Sequence, residues 1–277
     1  MNWNTFFTRA GTAVIFAFIM LAGLLGPSLW FFALFLLVQF LCIKEYFSLL
    51  QKINPDATFS VGLQALTQVF GAFMLLLCAP VYTSSKPLFP VLFFIPALIL
   101  LWQSLRKNGN INVAFQAFGA LLYICLPIVL LMLLREKSLI IPLGLIVLIW
   151  INDTMAYIVG SFIGKTPFSP ISPKKTWEGT IGGAILTVVA AIIYGIFNAY
   201  YNNVQDWIAL ALCAAVAGTM GDLFESKLKR VANVKDSGSF MPGHGGALDR
   251  FDSLLLAAPF AFCYAYLFME PISIHIF

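Results

Sequence analysis

The sequence predicts an all-α, polytopic integral membrane protein of about nine transmembrane helices, and three observations predict it. First, 61% of the 277 residues are apolar and only 10% are charged, against about 45–50% and about 25% in a soluble domain. A chain of this size must still cover its outside with polar groups, so a soluble enzyme, a secreted disulfide scaffold and a disordered chain are excluded. Second, the apolar residues lie in continuous runs, not in the alternating segments of about 10 residues that mark a barrel. Third, the few charges gather between those runs or at their edges.

The elements follow from the charge-free stretches. Arg9 and Lys44 bracket residues 10–43, too long for one crossing of roughly 20 residues, and Gly26-Pro27 breaks the run into two helices. Further runs cover 57–85, 87–105, 108–134, 138–152, 179–205, 207–221 and 253–269. The run at 138–152 stays apolar past Asp153 to about Ile163, so it reads as one span carrying an acid. The N-terminal segment lacks a clean small-x-small cleavage site and reads as a retained first helix. Cys42, Cys78, Cys125, Cys213 and Cys263 lie in apolar spans without CxxC spacing or a nearby His, and read as small apolar residues.

Orientation comes from the 16 basic residues. The N-terminal tail and the even loops hold 13 of them, and the odd loops only Lys86, Arg135 and Lys137. The positive-inside rule puts the N-terminus and even loops in the cytoplasm, and nine spans put the C-terminus outside. The net charge of +4 is thus a topology signal and does not point to nucleic acid.

Nothing in the first half asks for chemistry, whereas the second half gathers acids near polar motifs. Charge at membrane depth is expensive and faces a wet cavity or a partner. Asn152-Asp153 sits near the end of span six, with Tyr157, Gly160 and Gly164 following at helical spacing. Asp153 is either a structural acid paired with a lysine beside a Gly-xxx-Gly packing face, or part of the wall of a cytoplasmic cavity. The loop 164–179 contains Gly164-Lys165-Thr166, but Val159 stands where a P-loop needs glycine, and a membrane helix precedes it where a strand is required. Three prolines stiffen this loop without making it helical. Its lysines serve anionic lipid heads, topology or a polyphosphate. After span eight, Asp222, Glu225, Ser226 and Lys229 share one face of a helix leaving the membrane. Lys229-Arg230, Lys235-Asp236, the turn Met241-Pro242-Gly243-His244-Gly245-Gly246 and Asp249-Arg250-Phe251-Asp252 follow. Asp252 is either a helix cap or part of a site. Carboxylates, basic groups and a glycine-rich turn on one rim suit metal-assisted chemistry on phosphates.

Across residues 226–252, Ser226-x-Leu228-Lys229-Arg230-x4-Lys235-Asp236-x-Gly238…His244-Gly245-Gly246-x-x-Asp249-Arg250-Phe251-Asp252 resembles the phosphatidate cytidylyltransferase (CDP-diacylglycerol synthase) family. Asn152-Asp153, the Ser172–Gly179 stretch and Gly221-Asp222 resemble its bacterial members. Met241 and Ala247 depart from the usual larger aliphatic or aromatic choices, and neither carries polar chemistry. The resemblance implies attack of phosphatidate on the α-phosphate of CTP, with CDP-diacylglycerol and pyrophosphate as products. It implies a helical membrane protein of the cell inner membrane, with a polar cavity open to the cytoplasm, and a homodimer. Asp222 and Asp249 match the family's metal-binding acids, with Mg²⁺ and K⁺ as the ions. The candidate catalytic residues are then Asp222, Asp249, Lys229, Lys235, Asp236 and His244. The candidate substrate and phosphate ligands are Lys174, Lys175, Ser226, Arg230, Gly245, Gly246, Arg250 and Asp153. Residues 1–140 form an apolar helical region and 141–277 a catalytic membrane region.

Two other classes remain in view. A CTP-dependent lipid kinase of the dolichol or phytol type would release CDP, and an ion-coupled transporter using Asp153 and Asp222 would move substrate without turning over CTP. The topology is testable by itself. Single cysteines placed at Ser172 and Ser239 should both label from the cytoplasmic face of sealed vesicles, and labelling from opposite faces would contradict the assignment.

Overall fold

Gly26-Pro27 does break the first long apolar run. Helix α1 (Trp3–Leu25) ends where Gly26 N–H still donates to Ala22 O (3.0 Å), and α2 (Ser28–Ile53) starts with Pro27 as its cap. Proline has no N–H to leave unsatisfied and cannot extend a helix through its own ring, so it suits a helix start. The structure, a computed structural model, describes residues 3–78, 98, 101–103, 105–106, 110–197, 203–241 and 245–269. The apolar runs become α3 (Val61–Leu77), α4 (Ile111–Lys137), α5 (Ile140–Ile163), α6 (Trp177–Phe197), α7 (Val204–Val231) and α8 (Leu248–Leu267). Among the described residues five helices, α2 and α4 to α7, are long and apolar enough to cross a membrane. The chain is a nearly all-α membrane protein. Most of the span expected at 87–105 lies outside the described residues. None of the five cysteines is disulfide-bonded.

Two helices carry a π-helical turn, Leu121–Cys125 in α4 and Cys213–Gly218 in α7. Such turns insert one residue and re-aim the side chains that follow. In α7 the turn ends four residues before Asp222, so it sets the rotation of the helix face that carries the acids.

The chain divides into two compact units, one of residues 1–132 with 228–251 and one of residues 133–227 with 252–277. In the first unit Phe31, Phe35, Ile43, Phe47, Leu63, Leu75, Leu121 and Ile124 are fully buried. Phe35 meets the Phe251 ring edge-on at 6.4 Å, an arrangement that the ring quadrupoles favour.

In the second unit α5 and α6 approach through small residues. A Cβ at Gly183 would stand 2.8 Å from Ala156 Cβ, and one at Gly179 would stand 2.9 Å from Gly160 Cα. Without a hydrophobic drive between helices in lipid, such close backbone approach supplies the packing. Gly160 therefore does the packing work expected of it. The C-terminal end of α8 is neutralised by Lys137, whose ammonium donates to Ala265 O and to Met269 O (2.7 Å), a cation where the helix dipole is negative. Asp206 accepts from Tyr264 Oη at 2.9 Å.

The stiff loop after α5 has more order than its prolines foretell. It folds into an antiparallel hairpin, β1 (Pro167–Ser169) and β2 (Ser172–Thr176), with Ser169 opposite Ser172. Pro170 sits at the first turn position, which its fixed φ suits, and a two-stranded ribbon tolerates missing proline donors because each strand has a free edge. Glu178 clamps the base by accepting from Lys165 N (3.1 Å), Thr166 N (3.1 Å) and Thr166 Oγ1 (2.8 Å). The Phe168 and Trp177 rings meet at 4.5 Å.

The α5–α6 contact gives a stability test. Gly183→Val should cost about 1–3 kcal/mol by overpacking against the Ala156 backbone. Thermal unfolding in detergent checks this, and an unchanged transition would contradict the close approach.

Candidate functional site

In the second unit, the acidic face of α7 is real. Asp222 ion-pairs with Lys175 of β2, each side chain being 28% exposed. It also accepts from Ser226 Oγ at 3.2 Å, one helical turn on. The hairpin therefore presents Lys175, a lysine the sequence left between three uses, to the first acid of α7. Lys174, the preceding residue in the strand, is exposed. Glu225 is fully buried. Gly221 lets α7 close on the Asp252 carbonyl, where a Cβ would collide with backbone, so Asp252 (8% exposed) belongs to a packed junction. On α5, Asn152 is 3% exposed and its Oδ1 has no hydrogen-bond partner among the described residues, while Asp153 is exposed.

In the first unit the signature loop is organised around Asp249 in the first turn of α8. Its side chain is 5% exposed. Lys229 Nζ donates to Oδ1 at 2.6 Å, and Oδ2 accepts from Gly246 N (2.7 Å) and Ser237 N (2.9 Å), with Ser237 Oγ 3.0 Å away. Gly245 has φ of +83°, a left-handed conformation that favours glycine. A Cβ there would also lie 2.5 Å from Asp249 Oδ2. The glycine-rich turn was expected to offer its amides to phosphate. Gly246 instead gives its amide to Asp249. Lys235, Asp236, Arg230 and Arg250 are exposed, and Arg230 lies 3.5 Å from Val234 O. Arg250 stands at the rim of an apolar cavity of about 250 Å³ lined by Ile15, Phe16, Leu34, Leu37 and Phe251. His244 lies outside the described residues, as do Pro242 and Gly243.

One acid in this loop was not anticipated. Glu45 of α2, 9% exposed, accepts from Ala247 N (2.9 Å), Leu248 N (2.8 Å) and Ser237 Oγ (2.9 Å). Motif spacing cannot reach it, because about 190 residues separate it from Ser237. No local signal marks it, since it directly follows Lys44 in a helix that also carries Lys52.

Each unit thus holds carboxylates engaged by ammonium groups, hydroxyls or backbone amides, with exposed cations in the same segments. The Cytidylyltransferase family model matches residues 7–268, and the chain belongs to that family. The phosphatidate cytidylyltransferase of Staphylococcus saprophyticus is 30% identical over 256 residues, covering 91% of this chain and 95% of that one. The Haemophilus influenzae phosphatidate cytidylyltransferase is 43% identical over 128 residues, 44% of each chain. That of Bacillus subtilis is 45% identical over 117 residues, 42% of this chain and 44% of its own. For the latter two the chain spans less than half the relative's length.

The donor set fits a hard divalent cation. Mg²⁺ is held by one or two carboxylates and completes its shell with waters and phosphate oxygens. Asp222 and Asp249 are carboxylates of that chemical kind, and each faces a lysine ammonium. No cluster of three or more His, Cys, Asp or Glu occurs among the described residues.

The two lysine pairs differ in depth, so their loss should differ. Lys229→Met strips the counter-charge from a carboxylate that is 5% exposed and should destabilise by about 3 kcal/mol or more. Lys175→Met breaks a pair 28% exposed on each side and should cost under about 1 kcal/mol. Thermal unfolding of both variants checks the order, and equal losses would contradict it.

Proposed function

We propose that the protein transfers the cytidylyl group of CTP to phosphatidate, giving CDP-diacylglycerol and pyrophosphate for phospholipid synthesis. The observation that carries this reading is the similarity to the Staphylococcus saprophyticus phosphatidate cytidylyltransferase along 95% of that enzyme. The geometry supplies the parts. An apolar cavity with Arg250 at its rim suits a lipid with an anionic head. The cations of the loop suit a triphosphate.

In this reading a phosphate oxygen of phosphatidate forms a bond to the α-phosphorus of CTP. The bond from that phosphorus to the bridging oxygen breaks, and pyrophosphate leaves with the electron pair. Asp222 and Asp249 are assigned as the carboxylates that hold Mg²⁺, with K⁺ as a monovalent companion. Bound Mg²⁺ neutralises phosphate charge and fixes the orientation of the leaving group. Lys229 and Lys235 add positive charge where the transferring group becomes more negative. Lys174, Lys175, Ser226, Arg230, Gly245, Gly246 and Arg250 are assigned to binding the substrates and their phosphates. Asp236, His244 and Asp153 complete the assigned set. The basic-residue asymmetry supports a site at the cytoplasmic face of the inner membrane, a nine-span chain with its C-terminus outside, and a polar cavity open to the cytoplasm. The protein is further assigned as a homodimer.

Detergent-solubilised protein supplied with CTP, phosphatidate and Mg²⁺ should release one pyrophosphate for each CDP-diacylglycerol formed. Release of CDP would overturn the reading in favour of a lipid kinase. Asp249→Asn should lower turnover by at least about a hundredfold while the protein stays folded. Near-normal turnover at low Mg²⁺ would reduce Asp249 to a structural residue.

A further inference from the structure

We propose that Glu45 is a positioning residue for Asp249, acting through the hydroxyl of Ser237. The inference rests on the reading of Asp249 as a cation ligand and assigns to α2 a part in that site.

The argument turns on one proton. Ser237 Oγ lies 2.9 Å from Glu45 Oε2 and 3.0 Å from Asp249 Oδ2. A hydroxyl has one hydrogen to donate, so it serves one carboxylate at a time. Ser237 is 2% exposed, which leaves little room for water to supply a second donor. Asp249 Oδ2 already accepts from the amides of Gly246 and Ser237 itself, and those fill its two lone-pair directions. Glu45 Oε2 accepts only one amide, from Leu248, with Oε1 taking that of Ala247. The hydroxyl proton therefore goes to Glu45. Asp249 keeps its charge density, with Oδ1 facing Lys229.

The loop is shaped for this. A Cβ at Gly238 or at Gly246 would lie 2.6 Å from the Glu45 carboxyl carbon. Two glycines of the signature thus make room for a carboxylate from a helix outside it. That is a different reason for glycine from the one the sequence offers, in which the amides wait for phosphate.

Removing the Glu45 charge alone should turn the Ser237 hydroxyl onto Asp249. A third donor on Oδ2 then draws charge from the carboxylate and pulls it off its present line. The prediction that separates this from a plain helix cap is suppression. If the harm comes from the redirected hydroxyl, deleting that hydroxyl should undo it.

The experiment uses the full-length protein in detergent micelles and Mn²⁺ as the probe, with free Mn²⁺ read by electron paramagnetic resonance. Outer-shell partners of metal ligands typically change metal affinity by about 10- to 100-fold. Glu45→Gln should therefore weaken Mn²⁺ binding by about tenfold or more, and the Glu45→Gln/Ser237→Ala double variant should recover most of it. Mn²⁺ affinity as in the wild type for Glu45→Gln, when Asp249→Asn has lost it, would overturn the proposal. Failure of the double variant to recover would equally reduce Glu45 to a cap of α8. Should Glu45→Gln not fold, the double variant is compared with Ser237→Ala: Mn²⁺ affinities within about threefold of each other support the proposal, on the scale of those outer-shell effects. A loss of about tenfold in the double variant relative to Ser237→Ala overturns it, because Glu45 would then act without the hydroxyl. If Asp249→Asn binds Mn²⁺ as the wild type does, the metal reading itself fails and the inference falls with it.

Discussion

A carboxylate withdrawn from water within an apolar helical protein must be neutralised or hydrogen-bonded by its own chain. That constraint governs the polar half of this protein. Asp249, with its side chain 5% exposed, is held by one lysine and two amides. Glu45 collects two amides and a hydroxyl. Asp222, less buried, has one lysine and one serine. An unpaired charge at these depths would cost several kcal/mol, so the loops fold around the acids. The glycines at 238, 245 and 246 stand where any side chain would displace a carboxylate.

The same constraint explains why these acids suit phosphate chemistry. A carboxylate paired with an ammonium can exchange that partner for a metal ion or share it with an anionic substrate. Lys175 and Lys229 occupy that position in their respective units. Membership of the cytidylyltransferase family is what directs the proposed reaction to a cytidine nucleotide, which nothing in the charge pattern could supply. The apolar cavity beside Arg250 and the apolar helices supply the setting for a lipid acceptor.

Much of this was legible from residue order. The break at Gly26-Pro27, the continuation of α5 through Asp153 and the shared face of Asp222, Ser226 and Lys229 all follow from local rules of helix geometry. Of Gly160 and Gly164 only Gly160 lies within α5, and the close approach is made by Gly179 and Gly183 of α6. What was not legible depended on contacts distant in the chain. The hairpin at 167–176 was hidden because its prolines signal only the absence of helix, while its order comes from Glu178 reaching back to Thr166. Glu45 was hidden because its partners lie beyond residue 236, and a lone acid after Lys44 looks like the end of a span. The use of the Gly246 amide by Asp249, in place of a phosphate, could not be read from a glycine-rich pattern that serves either purpose.

The central claim is that buried carboxylates hold the signature loop, and backbone amide exchange tests it most directly. The amides of Ser237, Gly246, Ala247 and Leu248 all donate to Asp249 or Glu45, whereas Ser239 and Phe240 in the same loop are exposed. Hydrogen–deuterium exchange of the detergent-solubilised protein should find the first four strongly protected and the latter two fast. If all six exchanged at the rate of an open loop, the carboxylates would not be organising it and the account would be wrong.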